Sequence, residues 1–372
     1  WQARSARAMG KGYYGAALDF LEEAHRKSPG DTELALLLAV AYCEAGRLAE
    51  ALPVAVQAGG MAPRDPAPLE LQAQILTDLA RPAEAAEAYR AALRLDPALW
   101  DSWIALAKTQ ISLGQMPQAL VSFEQAQVQV KSVDLLPPDD LYLAARTAQS
   151  QAEYAKARTW TLEALKSEGW EGSADARATL GEISLSEGDA TAAAAAYEEA
   201  LKLRPKDAEF LACLGLARFR AGDAAGAQEA FEASLSRRTA RPGVVGEGLA
   251  RVCLAQGNLN AAAKAIARAA DQEETSERRF LQGEIARFLG KPEEAERAFS
   301  RALALAPDDT AAALNQGVVL AEMGRYEEAE AVLRACATRQ AENPFLMTTL
   351  AFVALKAGKP PAEALPLAEK AY

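Results

Sequence analysis

Small apolar residues recur in register along this chain, and their spacing predicts a tandem array of helix pairs. Pro29, Pro63 and Pro97 stand 34 residues apart, and counting Pro29 as position 32 of a 34-residue unit orders the rest. Position 20 is then alanine throughout: Ala17, Ala51, Ala85, Ala119, Ala157, Ala193, Ala227, Ala262, Ala295 and Ala329, joined by Ala364 after a one-residue insertion. Position 8 is always small after a truncated first unit: Ala39, Ala73, Ala107, Ala145, Gly181, Gly215, Ala250, Gly283, Gly317 and Ala351. Position 27 is Ala24, Ala58, Ala92, Ala126, Ala164, Ala200, Ser234, Ala269, Ala302, Cys336 and Ala371. Position 24 is larger: Leu21, Tyr89, Phe123, Tyr197, Phe231, Ile266, Phe299 and Leu333.

Helix packing explains these columns. Axes normally lie about 8–10 Å apart, and small residues at the crossing points permit the closer approach while position 24 fills the space between. Gly12, Gly46, Gly114, Gly188, Gly222, Gly257, Gly290, Gly324 and Gly358 fall between the two helices of a unit, where a positive φ ends the first helix. Prolines at the close of a unit stop the second helix. One amphipathic pair cannot bury its apolar face alone, so stability requires stacking.

The period and the three columns resemble the tetratricopeptide repeat family over essentially the whole chain. The resemblance implies an all-α fold, a right-handed α-solenoid superhelix of about eleven helix–turn–helix repeats. Their expected spans are 1–31, 32–65, 66–99, 100–133, 138–171, 174–207, 208–241, 243–275, 276–309, 310–343 and 344–372. Residues 134–137 and Gly172–Ser173 are extra at two joints, and Lys131, Gly169, Thr239, Glu274 and Ala341 replace the closing proline in five repeats. The joint from Asp134 to Pro137 either bends the array or is a tolerated surface loop. Trp1 falls at position 4 and Tyr372 just after the last second helix, so a segment of a longer protein is expected.

Composition narrows the function classes. The chain has 372 residues, half of them hydrophobic and only 6% aromatic, which suits close-packed helices and exceeds what one globular core usually holds. A net charge of −11 argues against general nucleic-acid binding, which needs a cationic footprint. The longest apolar run, Leu34 to Cys43, is ten residues and too short to span a bilayer, so no direct membrane insertion is expected. Cys43, Cys213, Cys253 and Cys336 are far apart and read as small core residues, in keeping with a reducing compartment. A cytoplasmic location is expected, with a periplasmic or envelope location as the alternative. The alanine-rich style resembles bacterial members of the family.

Little in the sequence points to catalysis, and no cofactor or metal is implied. His25 is the one histidine, with no second ligand or nucleophile in reach, and reads as solvated or edge-packed. Gly10-Lys11-Gly12-Tyr13-Tyr14-Gly15 matches a dinucleotide-binding pattern by letter, but it spans a helical turn rather than a strand-to-helix turn. Asp139 and Asp140 follow two prolines and read as acids capping a helix N-terminus.

Binding is therefore the expected activity: a non-catalytic scaffold for one or several protein or peptide partners, of unspecified oligomeric state. Two alternatives are the arm of a larger enzyme and a component of an envelope secretion or pilus-assembly system. The resemblance implies that positions 2, 5, 9 and 12 of the first helices line a concave groove. Position 2 is acidic at Glu33, Asp101, Asp139, Asp175, Glu209 and Glu277, which the helix dipole alone can explain. The candidate ligand-binding residues are Ile104, Lys108, Tyr142, Arg146, Glu182, Phe219, Arg251 and Phe280, with Glu284, Arg287, Phe345 and Phe352 at further groove positions. Lys108, Tyr142 and Arg146 would grip a carboxylate while Ile104 and Phe219 bury apolar residues of a mixed-charge peptide or helix. Equally, some of these large residues seal repeat interfaces instead. Asparagine appears at the groove positions, position 6 included, only as Asn315, which disfavours a chaperone-tail adaptor.

Overall fold

A computed structural model describes residues 14–130, 136–167, 169–170, 172–338 and 343–369. Within them lie twenty-one α-helices and no strand. Trp1, the Gly10–Gly15 motif with its turn glycine Gly12, Lys131, Asp134, Ala341, Ala371 and Tyr372 fall wholly or partly outside the described residues.

The chain divides into two compact units, one ending at Ile183 and the other beginning at Ser184. In the first, α1 (Tyr14–Lys27) precedes the pairs α2 (Thr32–Glu44) with α3 (Leu48–Met61), α4 (Ala67–Asp78) with α5 (Pro82–Leu95), α6 (Trp100–Ser112) with α7 (Met116–Gln129), and α8 (Pro138–Ser150) with α9 (Tyr154–Lys166). The division falls inside α10 (Ala174–Glu187). The second unit continues with α11 (Ala190–Leu203), then pairs α12 (Ala208–Arg220) with α13 (Ala224–Ser236), α14 (Pro242–Ala255) with α15 (Leu259–Gln272), α16 (Ser276–Phe288) with α17 (Pro292–Leu305), α18 (Thr310–Glu322) with α19 (Tyr326–Ala337), and α20 (Pro344–Lys356) with α21 (Pro361–Glu369). Each of these pairs packs together, second helices pack on the next first helix, as α3 on α4 and α13 on α14, and first helices also touch directly, as α2 with α4 and α12 with α14.

The small columns are the crossing points. Ala51, Ala85, Ala119, Ala157, Ala193, Ala227, Ala262, Ala295 and Ala329 are wholly buried, as are Ala39, Ala73, Ala107, Ala145 and Ala250. Ser234 replaces an alanine in this lattice without an unmet polar group, because its hydroxyl donates to the Ala208 carbonyl at 2.7 Å. Around the columns the first unit buries Phe123, Leu141 and Trp160, and the second buries Phe231, Ile266, Phe299 and Leu333.

Turn glycines from Gly46 to Gly358 carry φ between +69° and +87°, closing first helices in the left-handed region. Two repeats do this without glycine: Ala80 has φ +55° and Ala152 φ +59°. Several second-unit helices open on a side-chain cap, as where Asp207 accepts from Glu209 N and Phe210 N. Asp139 and Asp140 behave differently from the expected cap. Pro137 occupies that position with no side-chain bond, and both acids lie in the first turn of α8. Of the cysteines, Cys253 and Cys336 are buried while Cys43 and Cys213 are only partly covered. His25 is edge-packed, with a covered Nδ1 that has no hydrogen-bond partner among the described residues.

Candidate partner-binding face

In the first unit the first helices are joined by polar rungs, each crossing from one repeat to the next. Ser102 of α6 donates to Glu70 of α4. Lys108 of α6 lies 2.5 Å from Asp140 of α8. Arg146 of α8 reaches Glu182 of α10 at 2.7 Å, where Gln149 also donates at 3.0 Å. Tyr142 sits between the last two rungs. Its hydroxyl lies 2.9 Å from Thr179 Oγ1, and its ring stands 5.2 Å from that of Trp170.

These rungs differ in exposure. The Asp140 side chain is 12% exposed against 49% for Lys108, so the carboxylate is nearly enclosed and the ammonium reaches it from solvent. Arg146 and Glu182 are 47% and 43% exposed, and a pair so hydrated contributes about 0–1 kcal/mol. That rung can therefore open at little cost.

The second unit repeats the theme with different chemistry. Arg241 at the start of α14 pairs with Glu209 of α12 at 3.0 Å. Arg278 of α16 is buried, held at 3.4 Å from Glu247 of α14 and donating to the Glu273 carbonyl. Arg287 donates to Asn315 Oδ1 of α18 at 2.9 Å. Between these, burial pushes the Glu284 carboxyl above its ordinary range, and the positive charges of Arg251 and Arg287 only partly offset it.

A family model described as a tetratricopeptide repeat matches residues 8–75, another of that description matches 71–131 and 280–344, and a third, for a TPR repeat, matches 181–222. The chain belongs to the tetratricopeptide repeat family. No curated protein matches it. Among solved structures it is similar to that of MamA, at 22% identity over 44% of this chain and 93% of that one, with a TM-score of 0.40. It is similar also to YrrB, titled a TPR protein with an unusual peptide-binding site, at 17% identity over 50% and 92% with a TM-score of 0.45. A third likeness, to the APC/C hetero-tetramer Cut9-Hcn1, has 14% identity over 99% and 92% with a TM-score of 0.40.

The tetratricopeptide groove positions named from the sequence separate by burial and by partner. Lys108, Tyr142, Arg146 and Glu182 come together on the first-helix face of the first unit. Ile104 does not join them. It is 4% exposed in a core cluster with Leu120, Phe123 and Leu141, so it seals a repeat interface and cannot bury a ligand side chain. Phe219 and Phe280 are half-buried, Phe280 with its ring 5.5 Å from that of Phe299. Arg251 is exposed and tied to Glu247 of its own helix at 3.0 Å. Phe345 and Phe352 of α20 are 78% and 54% exposed.

Sequence reasoning treated Lys108 and Arg146 as free cations, and both are instead paired across the joint. The signal it lacked was Asp140, which looked like a cap and is the Lys108 partner. No helix among the described residues is long and apolar enough to cross a membrane, and none of their His, Cys, Asp and Glu side chains form a metal-holding cluster.

Proposed function

We propose that this chain is a non-catalytic scaffold that holds a partner peptide or helix of mixed charge along its first-helix face. The observation that supports this reading most is the exposed Arg146–Glu182 rung beside Tyr142. An arriving carboxylate can replace Glu182 on Arg146, while a basic residue of the partner takes up Glu182. The exchange trades one hydrated pair for two and leaves no charge unmatched. The phenolic ring offers an amphipathic surface next to it, the kind of side chain that anchors protein interfaces. In the second unit Phe219, Arg251 and Phe280 are the corresponding residues, and there the anchor is apolar rather than hydrogen-bonded.

The test is an affinity pull-down from native cell extract, comparing the unaltered chain with Arg146→Ala/Tyr142→Phe, then titration of the captured partner by calorimetry. The Phe substitution retains the ring and its packing on Trp170. Binding at least tenfold weaker, about 1.4 kcal/mol, supports this face. A partner held equally by both chains places the contact elsewhere.

A further inference from the structure

Two cavities open between consecutive second helices of the second unit, and they differ in how their charges are used. The larger, about 610 Å³, lies between α15 and α17 over α16. Its Arg279 and Arg301 both bind Glu274, at 2.8 Å each, and this carboxyl is held down to about 2 by them. Two acids, Glu274 and Glu294, thus stand among its arginines.

The smaller, about 410 Å³, lies between α13 and α15 over α14. Leu235, Leu249 and Ala265 form apolar walls, and Gly246 lies in the floor, where a Cβ would come within 3.0 Å of that of Ala269. No acidic residue lines it. Arg238 and Arg268 stand on opposite sides, both exposed, and neither side chain has an ion pair or hydrogen bond among the described residues. Two unmatched cations beside one apolar cavity are notable in a chain of net charge −11.

The joint that carries Arg238 is fixed in place. Glu209 of α12 accepts from Thr239 Oγ1 at 2.6 Å, Ala240 N at 2.8 Å and Arg241 Nη2 at 3.0 Å. These bonds hold its carboxyl below the usual range. Arg238 itself has φ +58°, a conformation that residues other than glycine, asparagine and aspartate seldom adopt. The two other such residues, Ala80 and Ala152, occupy turn-glycine sites, while Arg238 follows the C-cap Arg237 and ends α13 in the left-handed region. A long side chain rather than glycine stands at this helix end, and it is an unpaired cation at the cavity rim.

We propose that the cavity between α13 and α15 is a second docking site, distinct from the first-helix face, for a partner segment in which one leucine-sized side chain is flanked by carboxylates. The apolar walls take the side chain, and the volume lies within the range of ligand sites. Arginines on two opposite walls read two carboxylates, one on each side of the buried group. A single aliphatic acid would use only one of them, which favours an acidic peptide.

The probe is a fluorescein-labelled heptapeptide, Gly-Asp-Glu-Leu-Asp-Glu-Gly, titrated with the full chain by fluorescence anisotropy. Saturable binding is expected, at least tenfold weaker for Arg238→Asn/Arg268→Glu and unchanged for Arg94→Ala, an exposed arginine outside both sites. Asparagine tolerates the left-handed backbone, so an unaltered melting temperature certifies that the variant is folded. Replacing the peptide's leucine by alanine is expected to weaken binding by a similar factor. No saturation by about 1 mM, a level corresponding to roughly 4 kcal/mol of affinity, overturns the proposal, as does equal binding to the double variant. Decanoate binding as tightly as the peptide would overturn it in favour of an aliphatic anion. A dimer seen by sedimentation and lost in the double variant would overturn it in favour of a second copy of this chain.

Discussion

The ring of Phe299 lies where a side chain on Gly283 would begin: a Cβ there would stand 2.6 Å from ring Cε1. Gly215 has the same relation to Phe231 at 2.7 Å, and Gly317 to Leu333 at 2.8 Å. Position 8 and position 24 are thus two halves of one contact within a helix pair. The Phe231 ring also meets Gly248 of the next first helix, where a Cβ would come within 2.8 Å.

Gly283→Ala is therefore expected to destabilise the chain although alanine is the better helix former. The propensity gain is about 1 kcal/mol, while forcing a methyl into a filled core costs about 1–3 kcal/mol. Phe299 is fully buried and has nowhere to retreat. Urea denaturation should show a lower midpoint for Gly283→Ala and partial recovery when Phe299→Leu is added. A higher midpoint for the single variant would show that the ring shifts freely.

Ala80 and Ala152 give the opposite expectation. Each holds a left-handed turn that eight other repeats assign to glycine. The strain is about 1–2 kcal/mol, and the added freedom of glycine in the unfolded chain takes back about 0.4–1 kcal/mol. Ala80→Gly and Ala152→Gly should each raise the thermal midpoint, and Gly222→Ala, at φ +87°, should lower it. Calorimetric scans of the three variants decide the matter.

Glu284 makes stability depend on pH in a definite direction. Its carboxyl titrates above the ordinary 4.5 in the folded chain because burial disfavours the charge. A group raised in this way opposes folding once ionised, so the penalty is absent below pH 4.5 and complete above its folded value. Glu284→Gln should raise the melting temperature at pH 7 and leave it unchanged near pH 4. A variant that melts lower at pH 7 would mean that the attraction of Arg251 and Arg287 outweighs the burial.

The Lys108 and Arg146 rungs should prove unequal. Lys108→Met strands a nearly enclosed Asp140 carboxylate and is expected to cost about 1–3 kcal/mol. Arg146→Ala leaves a hydrated Glu182 and should cost less than about 1 kcal/mol. Chemical denaturation at low and at 0.5 M salt measures both. Equal losses would contradict the assignment of Arg146 as the rung that opens for a ligand.

What the sequence made legible was whatever repeats with the backbone. Ala51, Ala85 and Ala119 recur because the same crossing recurs, and a 34-residue frame finds them all. The rungs escaped that frame because no one rule joins their ends: Lys108 and Asp140 sit at different places in their repeats, while Arg146 and Glu182 share position 9 of successive repeats. Their meeting depends on how one first helix turns against the next, which no fixed spacing encodes. Ile104 was misplaced for the same reason, since Leu141 of the following repeat shares its cluster. Arg238 left only a negative trace, the closing proline that Thr239 replaces. The Glu209 carboxylate that fixes this joint belongs to a row explained adequately by helix dipoles.

The rungs also bear on how such a chain can change over generations. Tandem units are copied and lost readily when any one fits beside any other. Here the lysine of one unit needs the aspartate that only its successor carries, and the arginine of that successor needs the glutamate of a third. Excising the unit around Asp140 would set Lys108 beside a neighbour with a different complement of charges and take Arg146 away from Glu182. The order of the units is thereby written into the molecule as a sequence of mated ends, and lineages that shuffle it must replace the residues on both sides of every new seam.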